Sequence, residues 1–137
     1  KRQTITQYFT WIRYTESVIA SRPFTVEKSG WVFYIAVCWL ATKDDAPPCT
    51  HYIRLYRDDK KLDEYSFTVT EKTDTPVRRV ALYGLEYLTP GNYTVYLKGV
   101  NSSDPNYLAV ATRIDGSETL YGTFYPYYIG IFQITLE

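Results

Sequence analysis

The longest apolar run in the chain is Trp31 to Leu40, WVFYIAVCWL, ten residues without a charge and rich in aromatic and β-branched side chains. Gly30 precedes it and a Pro47-Pro48 loop follows. Such side chains favour a pleated, extended backbone. At about 3.3 Å per residue the run spans about 33 Å, the height of a small domain. A transmembrane helix needs about 20 apolar residues, so no membrane insertion is expected. The pattern predicts a central strand buried on both faces.

Around it the periodicity is mostly two. Gln3 to Tyr14 places Ile5, Phe9 and Trp11 on one side and Tyr8, Ile12 and Tyr14 on the other. Arg22-Pro23 is read as a break, followed by a short strand at Phe24-Thr25-Val26 and a turn at Glu27 to Gly30. His51 to Arg57 sets Ile53 and Leu55 against Tyr52, Arg54 and Tyr56, and a polar turn at Asp58 to Lys61 leads into a return strand, Tyr65 to Val69. Val77 to Leu88 groups Val80, Leu82, Leu85 and Leu88, with a bulge expected at Gly84. Thr89-Pro90-Gly91-Asn92 has a type II turn signature, and Tyr93, Val95 and Leu97 then alternate cleanly with Thr94, Tyr96 and Lys98. Tyr107 to Ile114 reads as a strand. Tyr127 to Leu136 closes the chain with Ile129, Ile131 and Gln133 against Tyr128, Phe132, Ile134 and Leu136. Many short strands, frequent turns and no helical pattern predict an all-β, antiparallel β-sandwich, jelly-roll-like, forming one domain over residues 1–137.

Composition narrows the function classes. Lys plus Arg and Asp plus Glu stand at 15 each, for a formal net charge of zero. No basic field is available to displace nucleic-acid counterions, so no nucleic acid is expected as a partner. Zero net charge also removes a barrier to association. The 15 tyrosines stand out in a chain that is 18% aromatic. Tyrosine joins a large contact area to a wettable tip and collects where surfaces meet.

The only cysteines are Cys38, near the end of the central strand, and Cys49, after the following loop. If those two strands pair, the thiols fall nearly opposite each other, and an intramolecular disulfide is expected, worth about 3 kcal/mol by loop-closure entropy. That implies an oxidising compartment. The chain opens on Lys1 without methionine, so processing or trimming is expected to have removed what preceded it, and a cleaved secretory signal agrees with the cysteines. The sequons at Asn92-Tyr93-Thr94 and Asn101-Ser102-Ser103 lie beside turns and are candidate glycosylation sites. Together these features predict an extracellular protein.

The signs of enzyme chemistry are sparse. His51 is the single imidazole, expected at an exposed or edge position, and it lacks the spacing of a zinc site. Asp44-Asp45, Asp58-Asp59 and Asp63-Glu64 read as solvated turns; Asp58, Asp59 and Asp63 bracket one hairpin but face Lys60-Lys61. No phosphate loop or nucleophile elbow is present. Neither an enzyme, a metal site nor a cofactor is expected. Trp11, Trp31 and Trp39 are the candidates for stacking on sugars, together with a Tyr-rich stretch at Tyr125 to Tyr128.

Leu55-Tyr56-Arg57-Asp58-Asp59, Leu88-Thr89-Pro90-Gly91-Asn92-Tyr93-Thr94-Val95 and the alternating end resemble jelly-roll modules of the tumour-necrosis-factor and complement-globular-head type. The likeness covers roughly Phe24 to Glu137; the hairpin departs from it, since no glycine follows Asp58. Such modules occur in virion fibres and in trimeric secreted ligands, and subunits of bundling pili are a similar case. The Tyr-rich, Met-free composition also resembles that of surface proteins of hyperthermophilic archaea. The resemblance implies a non-enzymatic subunit of an extracellular filament or virion appendage; the alternative is a receptor- or carbohydrate-binding head, trimeric by the same analogy. The expected partners are further copies of the chain, with surface glycans as a second class. Residues 1–20 are read as an N-terminal strand open to exchange between subunits, with Ile5, Phe9, Trp11 and Ile12 at the interface. That strand lacks charge, proline and glycine from Gln3 to Ile12, whereas edge strands normally carry such protection.

Overall fold

The computed structural model describes residues 9–12, 15–43, 49–69, 77–101, 107–111 and 127–134. They form β1 (Phe9–Ile12), β2 (Thr15–Val26), β3 (Gly30–Lys43), β4 (Cys49–Arg57), β5 (Lys60–Val69), β6 (Val77–Leu88), β7 (Gly91–Asn101), β8 (Tyr107–Ala111) and β9 (Tyr128–Ile134). One sheet has the order β1-β8-β3-β6, and β9 pairs with β3 beside β8; the other has the order β2-β7-β4-β5. Every pairing is antiparallel. Eight strands divided between two sheets in these orders make the jelly roll that the pattern predicted; β9 is an addition to it. We call the first sheet A and the second sheet B.

β3 organises sheet A. One edge pairs with β6 from Gly30 to Ala41. The other is shared: β9 takes Trp31 to Val37 and β8 takes Leu40 to Lys43. The inward side chains of β3, Val32, Tyr34, Ala36, Cys38 and Leu40, are fully buried against Ile53 and Leu55 of β4 and Val95 and Leu97 of β7, among others. Burying each Leu or Ile contributes roughly 1.5–3 kcal/mol.

Side chains close the two seams between the sheets. Along one, Arg22 of β2 donates to the Ile129 carbonyl at 2.7 Å, and the Gln133 amide donates to the Thr25 carbonyl at 2.8 Å. Along the other, Asp63 of β5 accepts from the Tyr83 backbone N–H at 3.0 Å. Beneath that seam lies Glu86, almost fully buried. It accepts from the Tyr34 hydroxyl at 2.9 Å and from the Arg57 guanidinium at 2.9 and 3.1 Å, with Lys60 at 3.3 Å. Burial pushes the Glu86 carboxyl up, but the Arg57 and Tyr34 hydrogen bonds outweigh it and hold the group below its ordinary value. A buried carboxylate partnered this fully ties the two sheets together.

Several expectations require correction. Arg22-Pro23 does not break the chain: β2 runs through it, and Pro23 is tolerated because β2 is an edge strand of sheet B. Residues 15–20 therefore belong to β2 and not to an N-terminal strand. Gly84 makes no bulge, since the β3–β6 register is regular across it; a Cβ there would meet Leu62 and Tyr34 at 3.0–3.2 Å. Leu62 instead sits at the irregularity of the β4–β5 ladder and packs on the core. The β4–β5 turn, which has Asp59 in place of the missing glycine, takes its left-handed residue at Asp58, φ 49°, whose carboxylate accepts from the Thr94 N–H at 3.2 Å. Aspartate tolerates that conformation better than most residues.

β3 and β4 do not pair; they lie in opposite sheets. The premise of a disulfide across neighbouring strands fails, because β3 belongs to sheet A and β4 to sheet B. Cys38 is a free, buried thiol, and burial pushes it up to about 12. The side chain of Cys49 lies outside the described residues, although its backbone pairs with Val69. His51 is not at an exposed or edge position: it is fully buried on the inner face of β4, beside Phe67. Nor is β3 buried on both faces, and this difference leads to the candidate site.

Candidate functional site: the two outer faces

Strand alternation sends every second residue of β3, β6 and β9 to the outside of sheet A. The cross-strand rows read Tyr87–Trp31–Ile134, Leu85–Phe33–Phe132, Tyr83–Ile35–Gly130 and Ala81–Val37–Tyr128. These four rows hold no acidic or basic side chain; Arg79, opposite Trp39, is the first one beyond them. Trp31 is 46% exposed, Phe132 50%, Tyr87 57% and Leu85 58%. Leu85 parts from Val80, Leu82 and Leu88, with which the sequence groups it, because inward positions on β6 have even numbers, and Val80, Leu82, Glu86 and Leu88 take them.

The rings on this face pack on one another. Trp31 and Tyr87 meet edge to face at 5.6 Å, while Phe33 lies 6.3 Å from Tyr83 and 6.2 Å from Phe132. Gly130 leaves the space that keeps the surface level. A Cβ there would touch the Tyr128 hydroxyl at 2.8 Å and Ile35 and Phe132 at 3.0 Å, so the neighbouring rings lie over the glycine. Cross-strand aromatic pairs rigidify a sheet.

Sheet B presents the opposite surface. Arg54 at its centre pairs with Glu64 at 2.7 Å and Glu16 at 2.9 Å; Lys98 reaches Glu16 at 3.5 Å, and Lys61 reaches Glu64 at 3.3 Å. The aromatic rings here serve cations: Lys98 lies 4.3 Å from the Tyr56 ring centre and 5.4 Å from Tyr96, and Arg54 lies 5.0 Å from Tyr52. Slight burial pushes the Glu16 carboxyl up, but the Arg54 hydrogen bond and Lys98 leave it below its ordinary value. The Arg54 hydrogen bond holds Glu64 low as well.

A cleft of about 280 Å³ lies at one end of the sandwich, between the β2–β3 turn and the end of β9. Its lining includes Thr25, Glu27, Lys28, Trp31 and Gln133. Acidic residues elsewhere have structural employment. Asp58 accepts from Thr94, and Asp63 accepts from Tyr83 and Glu64. Among the described residues no cluster of His, Cys, Asp or Glu could hold a metal ion.

The other candidate residues fall as follows. Phe9, Trp11 and Ile12 pair through their backbones with Ala111, Ala109 and Leu108 of the same chain, so β1 has its partner strand without a donor. Ile5 lies outside the described residues. Asn92 is exposed, its side-chain oxygen accepting from the Thr25 hydroxyl at 2.8 Å. Asn101 ends β7, opposite Thr15 and His51. Trp31 belongs to the strand expected to be buried on both faces, but it is exposed on the aromatic face. The signal that could have found this face was the presence of apolar groups on both parities of β3. No model of a known protein family matches the chain, and no curated protein matches it.

Proposed function

We propose that this protein is a non-enzymatic structural subunit that docks onto other protein chains through the outer face of sheet A. It would serve as a building block of an extracellular filament or virion appendage. The observation that carries the reading is that uncharged, ring-packed face. Exposed apolar patches of this extent mark protein–protein contacts, and enrichment in Tyr, Trp and Phe with depletion of charge is the composition of an interface centre. Secretion and glycans at Asn92 and Asn101 belong to the same proposal. The jelly roll suits it by analogy of fold alone. Negative-stain imaging of native material, with an antibody to the chain, tests it. Labelled filaments or particles support the reading, and a chain found only as free monomer overturns it.

The cleft beside Trp31 favours a second reading, a saccharide-binding head. Its half-exposed indole can stack on a sugar ring while Gln133 and Glu27 offer polar contacts. Quenching of tryptophan fluorescence by a glycan, lost in Trp31→Ala, is the expected signature; a glycan panel without response removes this reading.

A further inference from the structure

We infer that the occupant of sheet A's outer face is a second copy of this chain, packed sheet against sheet about a two-fold axis that passes between Phe33 and Ile35. The inference rests on the docking role proposed above and adds the identity and symmetry of the partner.

Area comes first. Aromatic side chains present about 150–250 Å² each, so the half-exposed apolar groups of this face offer roughly 700 Å². A standard interface takes about 800 Å² from each partner. One copy of the face is thus large enough to be half of a stable contact.

Complementarity decides the symmetry. A head-to-tail contact needs a second surface, elsewhere on the molecule, that matches the first. Among the described residues, the large exposed apolar side chains off this face are Val18, on the ionic side of sheet B, and Tyr65 and Tyr127. They form no second apolar patch. Sheet B would have to strip water from Arg54, Lys98, Glu16 and Glu64 to receive aromatic rings, which is costly. The surface that fits the aromatic face is therefore the same face on another copy. Charge does not oppose the match, because the four rows carry none and the chain is neutral overall.

The geometry is also available. Two sheets pack face to face about 10 Å apart with strands near −30°, as the two sheets of one sandwich do. β3 is the middle column of the rows, flanked by β6 and β9. A two-fold axis at its centre sets Phe33 against the Phe33–Ile35 region of the partner copy. Such a pair closes on itself, so a filament built from it needs a second, different contact.

The test measures mass by light scattering across a concentration series for wild type, Phe33→Glu and Leu85→Glu, with circular dichroism confirming that each variant is folded. A Phe33→Cys variant is treated with a short bis-maleimide, and Tyr52→Cys on sheet B is the control. A wild-type dimer is expected, with its dissociation constant raised at least a hundredfold by either glutamate. The thiol at position 33 should link to its own copy, and the thiol at position 52 should not. Trimers or open-ended assemblies that the glutamates dissolve, without self-linking at position 33, overturn the two-fold pair and leave the docking role standing. A wild type that stays monomeric, or a dimer indifferent to both glutamates, overturns the pair and the docking role together.

Discussion

Sheets A and B bury similar aliphatic inner faces, yet their outer faces solve opposite problems. Sheet B places tyrosines beside cations and binds those cations to Glu16 and Glu64, so its charged centre is paired within the sheet. Sheet A places tyrosines beside tryptophan, phenylalanine and leucine, and within the described residues nothing covers them. Tyrosine content alone therefore says little about association; the neighbours of each ring decide. Aromatic rings among charges stabilise a solvated sheet, whereas the same rings without charges make a surface that water leaves readily.

The largest effect that would break this contrast is a charge placed on the bare face. Phe33→Glu should weaken self-association at least a hundredfold, about 3 kcal/mol, if both copies bury the carboxylate without a partner. Tyr52→Glu on sheet B should change it less than threefold. Sedimentation equilibrium of the two variants side by side reads the difference, and equal effects would erase the distinction between the faces.

Acid comes next, because the titrating groups lie in the core and on sheet B. Burial pulls His51 down from 6.5 to about 4. Between those values the unfolded chain binds a proton that the folded chain refuses, so stability falls as pH falls through that window and levels off below it. The loss is about 3 kcal/mol. Glu16, Glu64 and Glu86, held below their ordinary values, act in the same direction at lower pH, their stabilisation disappearing as each is protonated. Denaturant titrations of wild type and His51→Leu should show a flatter pH slope in the variant between pH 6.5 and 4. An unchanged slope would remove His51 from the account.

Arg54→Ala is smaller in effect. It frees Glu16 and Glu64 on a partly exposed surface and should cost about 1 kcal/mol of monomer stability. The dimer constant should stay as it was, and a change in it would show that sheet B takes part in assembly. Salt gives the smallest response. Between low and high sodium chloride, association should hold or tighten slightly, since the contact carries no charge to screen. Marked weakening by salt would point to ion pairs at the interface.

Much of the fold was legible in the sequence. Period-two alternation in Tyr93 to Lys98, His51 to Arg57 and Tyr127 to Leu136 depends on nearest-neighbour geometry, so each strand and its inward side can be read from its own residues. The turn after Arg57 and the turn that opens β7 at Gly91 were likewise local. Which strands become neighbours was not. Cys38 and Cys49 are close in sequence, but their strands fall in opposite sheets, β3 in sheet A and β4 in sheet B. The partners of Glu86 come from β3, β4 and β5, and no spacing in the sequence foretells them.

The instructive case is β3. Its sequence determined that both faces avoid water, since neither parity of Trp31 to Leu40 offers a charge. Tertiary structure alone decided what excludes the water. The inward face meets sheet B of the same chain, while the outward face, with those of β6 and β9, is left open. The hydrophobic effect measures only apolar area removed from water and is indifferent to whose atoms remove it. A core strand and an interface strand can therefore carry the same residues, and only the position of the other layers tells them apart.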